Sequence, residues 1–394
     1  MEIEKLQVIG LILVVLIGLA AYLAYRYLLI NPRDSIVDPA TYLGKLSNPA
    51  SIYARPATGK LYSPLQADIM PMDKLLLVDI NGDPDYTCIE LQVFDDNRGK
   101  GARVILYHHQ GPVDSYYTSA DFVDPAETQR YSILPDINYH LNIAPSGVSA
   151  TLKFLDRAGK SIELNLQETP GHKLEPGFLA PVGSNKDILF SYFPFFHMKN
   201  MNFVLRSGTA LSVKIDGVPR SPAQIPVPVN WKMVYLSRYA AAPIIGCWNQ
   251  AYNGELPALQ PGSQLSYLAG QNRYELVENA GHYEIRRLIG FNEQHEINFE
   301  FSPPIPDLPA LKDDSQINGR FSAGADETPG IIAGEYHLKR QGQTIEMTIQ
   351  PLESWQPIPG QLWVKTWTWK GSVTLAAGGT VSLKSAWMRG AAGK

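Results

Sequence analysis

Residues Val8 to Ile30 read VIGLILVVLIGLAAYLAYRYLLI, an apolar run broken only by Arg26. Such a run constrains a chain strongly, because about 20 apolar residues at a 1.5 Å rise match the ~30 Å hydrocarbon core of a bilayer. It predicts a transmembrane helix over 8–30, preceded by a short tail of residues 1–7. Tyr22, Tyr25 and Tyr27 collect at its C-terminal end, where aromatic rings favour the headgroup level and Arg26 can snorkel. Asn31-Pro32 then ends the helix. The rival is a cleaved signal peptide, whose apolar region usually runs only about 7 to 15 residues before a small-residue cleavage site. This run is longer and closes on Tyr, Leu and Ile, which favours an uncleaved single-pass anchor. Lys5 lies on one side of the span and Arg26, Arg33 and Lys45 on the other. That count tilts the body weakly towards the cytoplasm and leaves both orientations open.

Beyond the anchor the chain is written for short strands and many turns. Its 394 residues include 32 Gly and 30 Pro, and only 18% are charged. Pro32, Pro39, Pro49, Pro56 and Pro64 punctuate residues 31–70, which reads as an extended Pro-rich connector lifting the body off the membrane. The remainder has the length of two domains, and the Pro- and Gly-crowded stretch from 216 to 262 places their boundary near 240. The expected organisation is a first β domain over 71–240 and a second over 241–394. Cys88 and Cys247 fall in different halves, so they either staple the halves together or remain two buried thiols.

Hairpin signatures recur along the body. Ile89 to Val93 and Arg103 to Tyr107 flank a Gly-rich turn, and Thr151 to Leu155 and Ser161 to Leu166 flank Arg157-Ala158-Gly159. Tyr274 to Val277 and His282 to Arg286 flank Asn279-Ala280-Gly281, and Tyr336 to Lys339 and Thr344 to Ile349 flank Gln341-Gly342. Ile297, Phe299 and Phe301 alternate with Glu296, Asn298 and Glu300, the pattern of a strand burying one face. The fold class expected is therefore all-β: two antiparallel barrel or sandwich domains behind one transmembrane helix.

Three clusters could carry chemistry. On a strand, Trp363, Lys365, Trp367 and Trp369 point to one side, which suits the wall of an apolar ligand cavity oriented by the Lys365 ammonium, or equally a packed core face. The run Phe190 to Met198 reads either as a greasy lip near the bilayer or as a buried inter-domain segment. His108 and Asp114 at a strand end, with Glu335 further on, are the candidate general acids or bases. Glu293 and His295 could share a strand face, but no third metal ligand stands at a recognisable spacing, so no metal is expected. The sequence has no G-x-G-x-x-G opening a helix, no Walker A loop, no H-E-x-x-H and no G-x-S-x-G, and no cofactor is expected. A net charge of -4 without a basic stripe excludes nucleic acid as a natural partner.

The hairpin Thr151 to Leu166, the joining segment ending at Cys247-Trp248-Asn249, and the stretch from Tyr336 through Trp355 to Ser385-Ala386-Trp387-Met388-Arg389 together resemble the layout of the two-domain lipocalin-like superfamily. That superfamily includes carotenoid 1,2-hydratases and related cyclases. The resemblance covers residues 72 to 390 and carries over no catalytic residue, since the Trp-rich opening of the first barrel is missing. It implies a cavity for a hydrophobic, isoprenoid-like or lipid-like molecule. The partners expected are thus the lipid bilayer and a hydrophobic small molecule, with binding alone, hydratase, cyclase or isomerase chemistry, and a docking role in a membrane complex as the competing functions.

Overall fold

The computed structural model describes residues 18, 19, 21, 42–96, 99–111, 114–120, 132–134, 136–144, 147–169, 178–181, 193–198, 200–226, 228, 232–262, 264–293, 295–325, 332–354 and 367–389, with backbone alone for 178–200. Of the expected anchor, only Gly18, Leu19 and Ala21 are included, all with helical backbone; the span itself lies outside the described residues. No helix among the described residues is long and apolar enough to cross a membrane. The body is all-β, as the hairpin patterns require, and its strands form three sheets.

The first sheet has twelve strands. Lys74–Asn81, Tyr86–Asp96, Gly99–His108 and Ser115–Ser119 follow one another as an antiparallel meander. The other side of Lys74–Asn81 is shared by Val218–Pro222 and Val234–Ala241, and through the former the sheet continues to Thr209–Ile215, Ser161–Glu168, Gly147–Leu155 and Asn138–Ala144. It curls around a core that includes Val78, Leu91, Val104, Leu152, Leu164 and Val213.

The second sheet has ten strands. Eight of them form one meander from Asn272–Asn279 to Val381–Arg389; Ser266–Ala269 pairs with its first strand and Tyr252–Glu255 with its last. Two strands adjacent in sequence therefore sit at opposite ends of the sheet order, which is how a meander curls towards a barrel. The turn after Asn279 shows why the sequence folds back there, since Ala280 (φ 52°) and Gly281 (φ 83°) both adopt the left-handed backbone of a type I′ hairpin. Inside, the interior is filled by aromatic rings resting on glycines. A Cβ on Gly319 would meet the Tyr336 ring at 2.2 Å, and one on Gly371 would meet the Trp369 ring at 2.5 Å.

The third sheet is small: Ala67–Pro71, Ile244–Trp248, Phe193–Met198 and Phe178–Pro181, all antiparallel. Its Ile245 and Cys247 pack with Leu75, Phe94 and Ala240 of the first sheet, while its Ala67, Ile69, Ile244 and Trp248 join the core of the second. Cys88 and Cys247 are both buried and free, so the thiol alternative holds and no bridge staples the halves.

The segment expected as a connector differs from a spacer from residue 42 onwards. It includes a 3-10 turn at Ala50–Ile52 and the strand Ala67–Pro71, and Leu61, Leu65 and Ile69 are buried in the core of the second sheet. The two large cores divide between Tyr239 and Ile244, near the expected boundary, yet the second one recruits these residues from the start of the body. Apolar side chains seek burial even in a Pro-punctuated segment, so residues 42–70 pack against the body instead of holding it at a distance.

A candidate functional site between the first and third sheets

An antiparallel sheet commonly buries one face and wets the other. Strands Gly147–Leu155 and Ser161–Glu168 of the first sheet do so, but Tyr86–Asp96 and Gly99–His108 do otherwise. Ile89, Leu91 and Val93 face the main core, and the alternating residues Cys88, Glu90, Gln92 and Phe94 are equally buried, Phe94 and Leu75 of that face clustering with Ile245 and Cys247 of the third sheet. Strand register assembles this second face into three rows. Asp79, Cys88 and Tyr107 form the first. Arg238, Leu77, Glu90, Ile105 and Tyr116 form the second. Ala240, Leu75, Gln92, Arg103 and Thr118 form the third. The result is a charged and hydrogen-bonding centre inside an apolar frame.

Its hydrogen bonds are short and convergent. Tyr107 Oη donates to Glu90 Oε2 at 2.5 Å, Gln92 Nε2 donates to Glu90 Oε1 at 2.6 Å, and Arg238 Nη1 donates to Asp79 Oδ2 at 2.5 Å. Arg103 reaches across to Met70 Sδ of the third sheet at 3.8 Å and lies over the Phe94 ring. Exposure rises towards one end: Glu90 is 1% exposed, whereas the side chains of Asp79 and Arg238 are 22% and 29% exposed.

Burial pushes the Glu90 carboxyl above the usual carboxylate range, against the lowering effect of its Tyr107 and Gln92 hydrogen bonds. Burial likewise raises the Tyr107 hydroxyl and the Cys88 thiol. Between the ordinary carboxyl pKa and the raised folded one, the folded protein holds a proton at Glu90 that an unfolded chain releases. Because the native state binds more protons above the ordinary carboxyl pKa, this group's contribution to stability is full below that pKa and is lost as pH rises towards the folded one. Urea midpoints of wild type and Glu90→Gln, measured from pH 4 upward, are expected to diverge with this sign, the variant losing less stability per pH unit. Parallel curves would show that Glu90 ionises normally.

The residues singled out from sequence fall elsewhere. His108 and Asp114 are brought together at the end of Gly99–His108, but through the backbone: Asp114 Oδ1 accepts the His108 N–H at 2.7 Å. The His108 ring instead meets Ser115 Oγ at 2.9 Å and tilts against Tyr86. Glu335 is half-buried on the outside of the second sheet, with His337 Nε2 at 3.9 Å. Trp367 and Trp369 do share a face, and protein packs against it: both lie in the core of the second sheet, where Trp367 meets the edge of Trp387 at 6.3 Å. Trp363 and Lys365 lie outside the described residues, as do the side chains of Phe190 to Met198. Among the described residues, no group of three His, Cys, Asp or Glu is placed to hold a metal ion.

Sequence reasoning missed the Glu90 centre because Glu90 and Gln92 alternate with apolar residues, which reads as an ordinary solvated face. The available signal was Cys88 and Phe94 flanking them on that same face, with Ile105 and Tyr107 opposite. Comparison with protein-family models, with characterised proteins and with solved structures yields no match for this chain.

Proposed function

We propose that this chain is a membrane-tethered protein that takes an apolar, lipid-like or isoprenoid-like molecule between its first and third sheets. The Glu90–Tyr107 pair then engages the polar end of that molecule. One observation carries this: strands buried on both faces place two carboxyls, Glu90 and Asp79, with an amide and two guanidinium groups inside a frame of Leu75, Leu77, Phe94 and Ile105. Burying such groups costs several kcal/mol where a row of Val or Ile would serve stability better, so their presence points to a ligand rather than to folding. The apolar anchor at Val8 to Ile30 supports the same reading, because it would hold the body where membrane-soluble molecules are concentrated. The lipocalin-like layout fits this use.

Mass spectrometry of lipid extracts from the full-length protein tests the proposal. Wild type is expected to co-purify an apolar species and Glu90→Gln to retain about tenfold less, the effect of one ~1.4 kcal/mol hydrogen-bonded contact. Trp367→Phe, which alters only the second core, should retain as much as wild type. An empty wild type that also takes up no apolar fluorescent probe would overturn the proposal. Turnover of the ligand is the second reading, favoured by the proton that burial keeps on Glu90. It requires a product that appears with wild type and not with Glu90→Gln.

A further inference from the structure

Where the described body begins, its surface has an unusual combination of groups. The Tyr42 hydroxyl donates to Gly334 O at 3.0 Å, and Arg320 Nη1 donates to Tyr42 O at 2.9 Å with its guanidinium 5.3 Å from the centre of the Tyr42 ring. Beside this joint lies an open groove of about 370 Å³, bounded by Leu43, Leu46, Asn318, Arg320, Glu335 and His337. Leu46 is 53% exposed, and Lys45, Arg320 and His337 are exposed around it. An exposed leucine beside Lys45 and Arg320, with Glu335 half-buried opposite Arg320, is a surface that can meet lipid headgroups.

Chain length supplies the second, independent observation. Only eleven residues, 31–41, separate the end of the apolar run at Ile30 from Tyr42. Fully extended they reach at most roughly 40 Å, so Tyr42 is tied to within that distance of wherever Ile30 emerges. A tether of this length gives the surface around residue 46 a high effective concentration at the interface, and a contact too weak to recruit a free protein becomes sufficient.

We propose that this face of the second sheet lies against the phospholipid headgroups of the membrane that holds the anchor. Leu46 enters the upper interface, and Lys45 and Arg320 contact lipid phosphates, Arg320 through the donors it does not spend on Tyr42. The inference rests on the transmembrane reading of Val8 to Ile30 and is independent of what binds near Glu90. It fixes which side of the body looks at the bilayer.

Both native cysteines are buried, so a single introduced cysteine can be labelled selectively. Full-length Leu46→Cys, Leu155→Cys and Leu268→Cys, each at a site at least half exposed, would carry an environment-sensitive fluorophore in nanodiscs of phosphatidylcholine and phosphatidylglycerol. The label at 46 is expected to be blue-shifted and quenched several-fold more by spin-labelled lipid than labels at 155 and 268. Replacing phosphatidylglycerol by phosphatidylcholine should weaken that quenching. Equal quenching at the three sites, in protein retained by the nanodiscs, overturns this inference and leaves the anchor standing. Protein that nanodiscs fail to retain overturns both.

Discussion

Replacing Trp248 by alanine is expected to destabilise the protein by about 3–5 kcal/mol, the cost of emptying a large buried aromatic site. Trp248 is fully buried. Its ring stacks on Phe299 at 4.3 Å, meets Phe321 edge-on at 5.0 Å and lies 5.5 Å from Trp387. Trp248 also ends a strand of the third sheet, so one side chain joins that sheet to the interior of the second. The loss should appear as a lower urea midpoint with both the second and third sheets affected, read by amide exchange in Glu296–Ile305 and Ile244–Trp248. Trp387→Phe is the control, since it keeps a ring but removes the indole N–H that donates to Trp248 O at 2.8 Å, and should cost about 1 kcal/mol beyond the lost ring area. A Trp248→Ala penalty under about 1 kcal/mol would mean that the ring does not fill this core.

The aromatic interior was half legible in the chain. Period-2 alternation at Ile297, Phe299 and Phe301 declared which face is buried, and the hairpin turns declared antiparallel neighbours. Alternation likewise put Trp367 and Trp369 on one face. It could not say what lies opposite, because Trp248 arrives there from a different sheet and some hundred residues earlier in sequence. For the same reason the segment before Leu61 looked like a free connector. Its prolines advertise extended backbone, while the partners that bury it, such as Ile285, Ile305 and Leu308, lie more than two hundred residues away. The Glu90 centre was illegible for a third reason: a strand with polar residues at every second position is normally half wet, and only the third sheet makes this one dry on both sides.

Glu284→Ala is the second substitution with a large expected effect, about 3–5 kcal/mol, because it strips the acceptor from a buried network. Glu284 is 1% exposed and accepts three side-chain hydrogen bonds: from Tyr53 Oη at 2.5 Å, Asn279 Nδ2 at 2.8 Å and Asn48 Nδ2 at 3.1 Å. Alongside, His282 Nδ1 pairs with Asp307 Oδ2 at 2.8 Å, and the Tyr53 ring stacks on the His282 ring at 3.8 Å. Asn48 and Tyr53 belong to the Pro-punctuated segment, Glu284 and His282 to a strand of the second sheet, and Asp307 to the connection that follows its strand Glu296–Ile305. With few backbone ladder bonds to set its register, that segment is positioned by side-chain donors converging on one carboxylate, which specify geometry more sharply than apolar contacts would. Glu284→Ala should therefore free the segment before it unfolds the sheet. Trypsin should cut at the exposed Lys60 many times faster in the variant than in wild type, while Glu284→Gln, which keeps an acceptor oxygen, lies between them. Unchanged cleavage in Glu284→Ala would sink the idea that this network clamps the segment.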